Sequence, residues 1–128
     1  MPSKIYADEW LNLAGKNLET ADLLYKENHY TDVIGIEIQQ AIEKTFKALQ
    51  AYNNLPLDKT HDLVKLQDKA SKFISILPEN IELLEIITDY YMSNRYPGPN
   101  YSLPSKEEIA DAQKFAHKLF QEIKNMIV

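Results

Sequence analysis

At 128 residues the chain has the length of one domain, enough to bury roughly two thirds of its unfolded surface in a single core. Its 45% hydrophobic and 26% charged residues are those of a globular protein rather than a disordered tail, and a net charge of −5 argues against unspecific adhesion to nucleic acid or anionic membrane. There is no cysteine for a disulfide or thiolate metal site, no signal core, and no apolar run of the roughly 18 residues that a spanning helix needs, so a cytoplasmic protein without membrane insertion is expected.

Few glycines, at 15, 35 and 98, and a hydrophobic period of about 3.6 residues predict an all-α fold. The expected architecture is an antiparallel up-and-down bundle of four to five helices, with residues 1–128 forming one domain. A first helix is predicted over about residues 4–26, with Trp10, Leu13, Leu18, Ala21 and Leu24 on its inner stripe. The short Asn28-His29-Tyr30 connection favours an antiparallel return. Thr31 or Asp32 is the expected cap of a second helix, about 31–52. Its Val33, Ile34, Ile36, Ile38, Ala41, Ile42, Phe46 and Leu49 cover more than one face, which makes it the central helix.

Asn53-Asn54-Leu55-Pro56 ends that helix, and Thr60 is the expected N-cap of a third, with Asp62 in its first turn and Leu63, Leu66, Ala70 and Phe73 facing in. Pro78 opens a fourth helix, about 79–94, on which Ile81, Leu84, Ile87 and Tyr91 repeat at three to four. Residues 95–105 contain three prolines and form the longest irregular segment. Ser105-Lys106-Glu107-Glu108 reads as a capping box for a fifth helix carrying Ile109, Ala112, Ala116, Leu119 and Ile123.

Arg95 is the only arginine among fourteen basic residues. It stands in Tyr91-Met92-Ser93-Asn94-Arg95-Tyr96-Pro97-Gly98-Pro99-Asn100-Tyr101, beside tyrosines and a rigid turn. A guanidinium offers a planar fork that matches phosphate or carboxylate, which makes Arg95 a candidate anion or nucleotide ligand; the alternative is an ion pair closing a helix C-terminus. No Glu-x-x-His pair, His-Glu-x-x-His, Gly-x-Ser-x-Gly or phosphate-cradling glycine loop occurs, so neither a metal nor another cofactor is expected. In Gln39-Gln40-Ala41-Ile42-Glu43-Lys44-Thr45-Phe46-Lys47, residues Gln40, Lys44 and Lys47 share one side and Glu43 pairs with Lys47 at i, i+4. The plainer reading of that pattern is a solvated helix face. His61, just after Thr60, is either a first-turn residue or a polar group reaching into a cleft.

Taken in order, Gln39 through Ala48, then Thr60-His61-Asp62-Leu63, then Arg95-Tyr96-Pro97 resemble the HEPN domain (higher eukaryotes and prokaryotes nucleotide-binding) over about residues 10–123. The resemblance implies a helical bundle that forms a homodimer, with the arginine of both subunits entering the cleft. It also implies a place beside a minimal nucleotidyltransferase, as toxin and antitoxin. Other members that this chain resembles are ribonucleases with an Arg-x(4–6)-His motif. Here the corresponding positions are Asn100, Tyr101 and Ser102, none of them histidine, and asparagine exchanges no proton near neutral pH. The register of a modifiable tyrosine falls on Ser102, one residue past Tyr101.

The expectation is therefore a partner protein that binds nucleotide or RNA phosphate through Arg95, with Lys44 and Lys47 adding charge and Tyr91, Tyr96 and Tyr101 offering faces for a base. The alternative is a metal-independent ribonuclease whose catalytic positions are Arg95, Asn100 and His61, with His61 or a partner's residue replacing the missing histidine. A purely structural interaction module is the third reading.

Overall fold

The structure, a computed structural model, describes residues 2–92 and 103–127, with the side chains of residues 2 and 3 left aside. Five helices follow in order: α1 (Pro2–Lys26), α2 (Thr31–Tyr52), α3 (Leu63–Ala70), α4 (Pro78–Met92) and α5 (Lys106–Met126). There is no strand among the described residues, and none of these helices is long and apolar enough to cross a membrane.

The first reversal follows from local chemistry. Asn28 takes a left-handed conformation at φ 55°, which asparagine tolerates, and the amides of Asn28 and His29 then turn back onto the carbonyls of Tyr25 and Leu24. The same device recurs after α2: Asn54 lies at φ 56°, and Leu55 N–H donates to Gln50 O. Tyr30, rather than Thr31 or Asp32, is the N-cap residue of α2 and makes no side-chain cap bond. Asp32 lies in the first turn, where its Oδ1 accepts from Val33 N–H at 3.0 Å and its charge suits the dipole.

α2 is the axis of the bundle, packed by all four other helices. Ile34, Ile38, Ala41, Ile42, Phe46 and Leu49 are buried, whereas Val33 is exposed. The buried stripe of α1 is Ala7, Leu11, Ala14, Leu18 and Ala21, so the inner face is rotated from the expected one: Leu13 is 43% exposed, and Trp10 and Leu24 pack only at the edge of the core. Alanines at 7, 14 and 21 recur every seven residues and let α1 lie close along α2. On α5 the expected set, Ile109, Ala112, Ala116, Leu119 and Ile123, is buried throughout.

α3 begins at Leu63 because Asp62, not Thr60, caps it: the Asp62 carboxylate accepts from Val64 N–H at 3.0 Å and Lys65 N–H at 3.5 Å. Thr60 Oγ1 instead accepts from Asp62 N–H at 3.1 Å. Helix α3 ends at Ala70, so Phe73 falls outside its periodicity and is 36% exposed. On α4 the buried positions are Leu84, Ile87 and Tyr90, with Ile81 and Tyr91 half-buried. Ser105 caps α5 as expected, accepting from Glu108 N–H at 3.0 Å. The Glu108 carboxylate faces Tyr90 at 3.4 Å. Burial first, then the charge and hydrogen bond of Glu108, push the Tyr90 phenol up to about 12.

Gly35 fixes the distance between α2 and α4. A Cβ there would lie 2.9 Å from Cδ2 of Tyr90, whereas one at Gly15 would meet Phe120 at an ordinary 3.6 Å. Gly35→Ala is therefore expected to lower stability by about 1–3 kcal/mol, because a buried ring on a packed helix has to shift. Gly15→Ala should hold or gain up to about 1 kcal/mol from helix propensity. Thermal unfolding of the two variants checks this, and an unchanged melting temperature in Gly35→Ala would contradict the close approach.

Candidate functional site

α2 is buried on nearly every side, yet it carries Gln39, Glu43 and Lys47 on one line at successive turns, with exposures of 0%, 3% and 6%. Polar groups in such a place require partners. Glu43 supplies them. Its Oε2 accepts from Lys47 Nζ at 2.8 Å, while its Oε1 accepts from Gln39 Nε2 at 3.1 Å and meets His61 Nδ1 at 2.7 Å. Gln39 Nε2 also donates to the backbone carbonyl of His61 at 2.9 Å, and Gln39 Oε1 accepts from Gln40 Nε2 at 2.7 Å. Two polar residues of α2, one turn apart, thus grip both the ring and the backbone of His61.

The loop that carries His61 is tied down on both flanks. Gln50 and Asp58 approach each other at 3.5 Å, Asp58 pairs with Lys69 of α3 at 2.5 Å, and Leu63 N–H donates to Thr88 Oγ1 of α4 at 3.1 Å. The Lys69 hydrogen bond, helped by the charge of Lys69 and the Gln50 hydrogen bond, lowers the Asp58 carboxyl below its ordinary value against the opposing effect of desolvation. The His61 ring packs on Tyr91 with centroids 4.7 Å apart and planes tilted by 42°. Its side chain remains 42% exposed. Lys47 Nζ, on the inner side, lies 5.6 Å from the centroid of Trp10.

Burial by itself would raise the Glu43 carboxyl, but hydrogen bonds from Lys47, His61 and Gln39, with the charge of Lys47, outweigh it and hold the group below its ordinary 4.5. Glu43 is thus a carboxylate and only accepts. Consequently the proton of the short contact sits on His61 Nδ1, and the outward nitrogen is Nε2.

Of the residues singled out in the sequence, His61, Tyr91 and Lys47 come together around Glu43. Lys44 does not join them: its Nζ donates to Asn17 Oδ1 at 2.8 Å, and Asn17 in turn donates to Glu37. Arg95, Tyr96, Asn100 and Tyr101 lie outside the described residues. The reading of this face of α2 as solvated fails for Lys47, which is buried. Gln39 and Glu43 are the site residues that sequence reasoning misses. Their signal is present all the same: polar residues at i, i+4 and i+8 on the helix that carries most of the core must be paired internally.

Glu43→Gln strands the Lys47 ammonium without its counter-charge and is expected to cost about 3–5 kcal/mol at neutral pH. Because the folded pKa is depressed, the carboxylate's contribution is complete above its ordinary 4.5 and is lost as pH falls through the lower folded value. The stability gap between the two proteins should therefore narrow under acid conditions below that value. Urea unfolding across the range checks this, and parallel stability curves would contradict it.

The sequence matches the HEPN domain family model over residues 7–126. A protein of Methanocaldococcus jannaschii named "Putative toxin MJ1304" is 25% identical over 140 aligned positions, covering 95% of this chain and 88% of that protein. The fold is shared with the crystal structure of TT1696 from Thermus thermophilus, at a TM-score of 0.81 and 22% identity over 98% of each chain. It is also shared with ST0689, described as an archaeal HEPN homologue, at a TM-score of 0.73 and 18% identity over 95% of this chain and 98% of that one. With a family match that runs from Ala7 in α1 to the end of α5 and includes Gln39, Glu43 and His61, the chain belongs to the HEPN domain family.

Proposed function

We propose that this HEPN protein is the helical partner of a minimal nucleotidyltransferase in a toxin–antitoxin-like module, and that it binds nucleotide or RNA phosphate through Arg95. The observation that carries this reading is the packing of His61 against Tyr91, four residues before Arg95 in the sequence. A histidine held by a buried carboxylate and a tyrosine face stand together there, close in sequence to the one guanidinium of the chain. The relative named as a toxin supports the module, and a homodimer is what membership of the family suggests. In this reading Arg95 takes the phosphate, and Tyr91, Tyr96 and Tyr101 offer faces to a base. Lys44 and Lys47 act from behind, since their ammonium groups are engaged by Asn17 and Glu43.

One observation favours a second reading, a metal-independent ribonuclease. Asn100 stands where the family motif has histidine, but the bond between Glu43 and His61 is the arrangement that prepares an imidazole for proton transfer. His61 would then replace the missing group.

Binding of a short single-stranded RNA, followed by fluorescence anisotropy, tests both. Arg95→Ala and Arg95→Lys should each weaken binding by about tenfold or more, the worth of a charge-assisted contact that an ammonium does not reproduce, with the melting temperature unchanged. Unaltered binding in both variants, or collapse of both, would overturn the role of Arg95. Cleavage of that RNA by the unaltered chain, abolished in Arg95→Ala and His61→Ala, would select the second reading.

A further inference from the structure

Away from Glu43, a second surface is built between α4 and α5. The two helices run antiparallel, with Tyr90 meeting Glu108 at one end and Asn80 lying beside Phe115 and Lys118 towards the other. Between them opens a groove of about 450 Å³ whose floor is Leu83, Ile86 and Phe115. Leu83 and Phe115 pack on the core from below, whereas Ile86 is 47% exposed. A smaller hollow that shares Asn80, Phe115 and Lys118 with it carries the groove on to Leu77, itself 58% exposed, and to Glu122. From Asp111 to Glu122 the groove follows about three turns of α5.

The charges at the centre of the groove are sorted by edge. Glu79 and Glu82 line the α4 edge, and Lys114 and Lys118 line the α5 edge. Although the signs are opposite, none of these four makes an ion pair or hydrogen bond across the groove among the described residues. An exposed apolar floor bordered by charged groups marks a surface that meets a partner. We propose that the α4–α5 groove receives an amphipathic helix of a partner protein, about three turns long, with an apolar seam at i, i+3 or i+4, and i+7. Lys or Arg stands on the edge of that helix facing Glu79 and Glu82, and Asp or Glu on the edge facing Lys114 and Lys118. A second copy of this chain suits the groove less well. Two such grooves laid face to face about a twofold axis enclose a void, and any other face set into the groove makes a heterologous contact that does not close. The groove shares no described residue with the Glu43 site and is independent of the phosphate reading.

The probes are three fluorescein-labelled helical peptides with the same apolar seam. One has lysine along one edge and glutamate along the other, one has lysine on both edges, and one has glutamate on both. Fluorescence anisotropy with the full chain should show the two-edged peptide bound about three- to tenfold more tightly than either of the others, the worth of a few exposed ion pairs exchanged for like charges. The net charge of −5 favours the all-lysine peptide, so long-range attraction alone would give a different order. Lys114→Glu/Lys118→Glu should move the preference to the all-lysine peptide, and Glu79→Lys/Glu82→Lys to the all-glutamate peptide. All four side chains are exposed, so both variants should keep the melting temperature. Ile86→Glu should weaken all three peptides. No binding of the two-edged peptide, an order of affinity that the charge-reversed variants leave unchanged, or undiminished binding in Ile86→Glu would overturn the inference. Sedimentation of Ile86→Glu without peptide as a lighter species than the unaltered protein would give the groove to a second copy and overturn it as well.

Discussion

A carboxylate placed inside the central helix of the bundle is the constraint on which the rest of the site depends. Taking an ion out of water costs several kcal/mol, so Glu43 persists as an ion only because Lys47, Gln39 and His61 together return what water would have given. These partners come from two parts of the chain. Lys47 and Gln39 stand on neighbouring turns of α2, whereas His61 belongs to the loop ahead of α3. The charge of Glu43 therefore joins a helix to a loop, and the loop is held where it is because α2 demands a donor from it.

The remaining architecture keeps that donor in position. Gln50, Asp58 and Lys69 brace the chain on one flank of His61, and Thr88 of α4 receives Leu63 N–H on the other. α4 is itself set at short range from α2 by Gly35, whose missing Cβ admits the ring of Tyr90. One residue further along α4, Tyr91 supports the face of the His61 ring. Helix spacing, loop bracing and ring orientation form one mechanical chain, with the buried charge at one end and a half-exposed imidazole at the other.

Much of this fold is legible in the sequence, and the exceptions have physical reasons. Helix number, the turns at Asn28 and Asn54, the cap at Ser105 and the whole stripe of α5 follow from periodicity and turn chemistry. The face of α1 is rotated because its buried stripe is built partly from Ala7, Ala14 and Ala21. Small residues that permit close helix contact weigh little in a reading based on large side chains, which is drawn instead to Leu13. Thr60 and Asp62 are both good capping residues, and only the geometry of the loop decides between them. The candidate site is legible in part. His61, Tyr91 and Lys47 stand out separately, but nothing in their spacing tells that Glu43 joins them, since that needs the chain after α2 to fold back against the helix it has just left. The pairing of Glu43 with Lys47 reads as a surface pair because i, i+4 charges usually are.

Glu43, ionised inside the bundle, fixes the proton of His61 on Nδ1. Nitrogen-15 spectroscopy of histidine-labelled protein, at a pH where the imidazoles are neutral and with His61 assigned by the spectrum of a His61→Phe variant, reads that proton directly. The Nδ1–H form is expected for His61, against the Nε2–H form that a neutral imidazole adopts more readily in water. An Nε2–H form for His61 in the unaltered protein would contradict it.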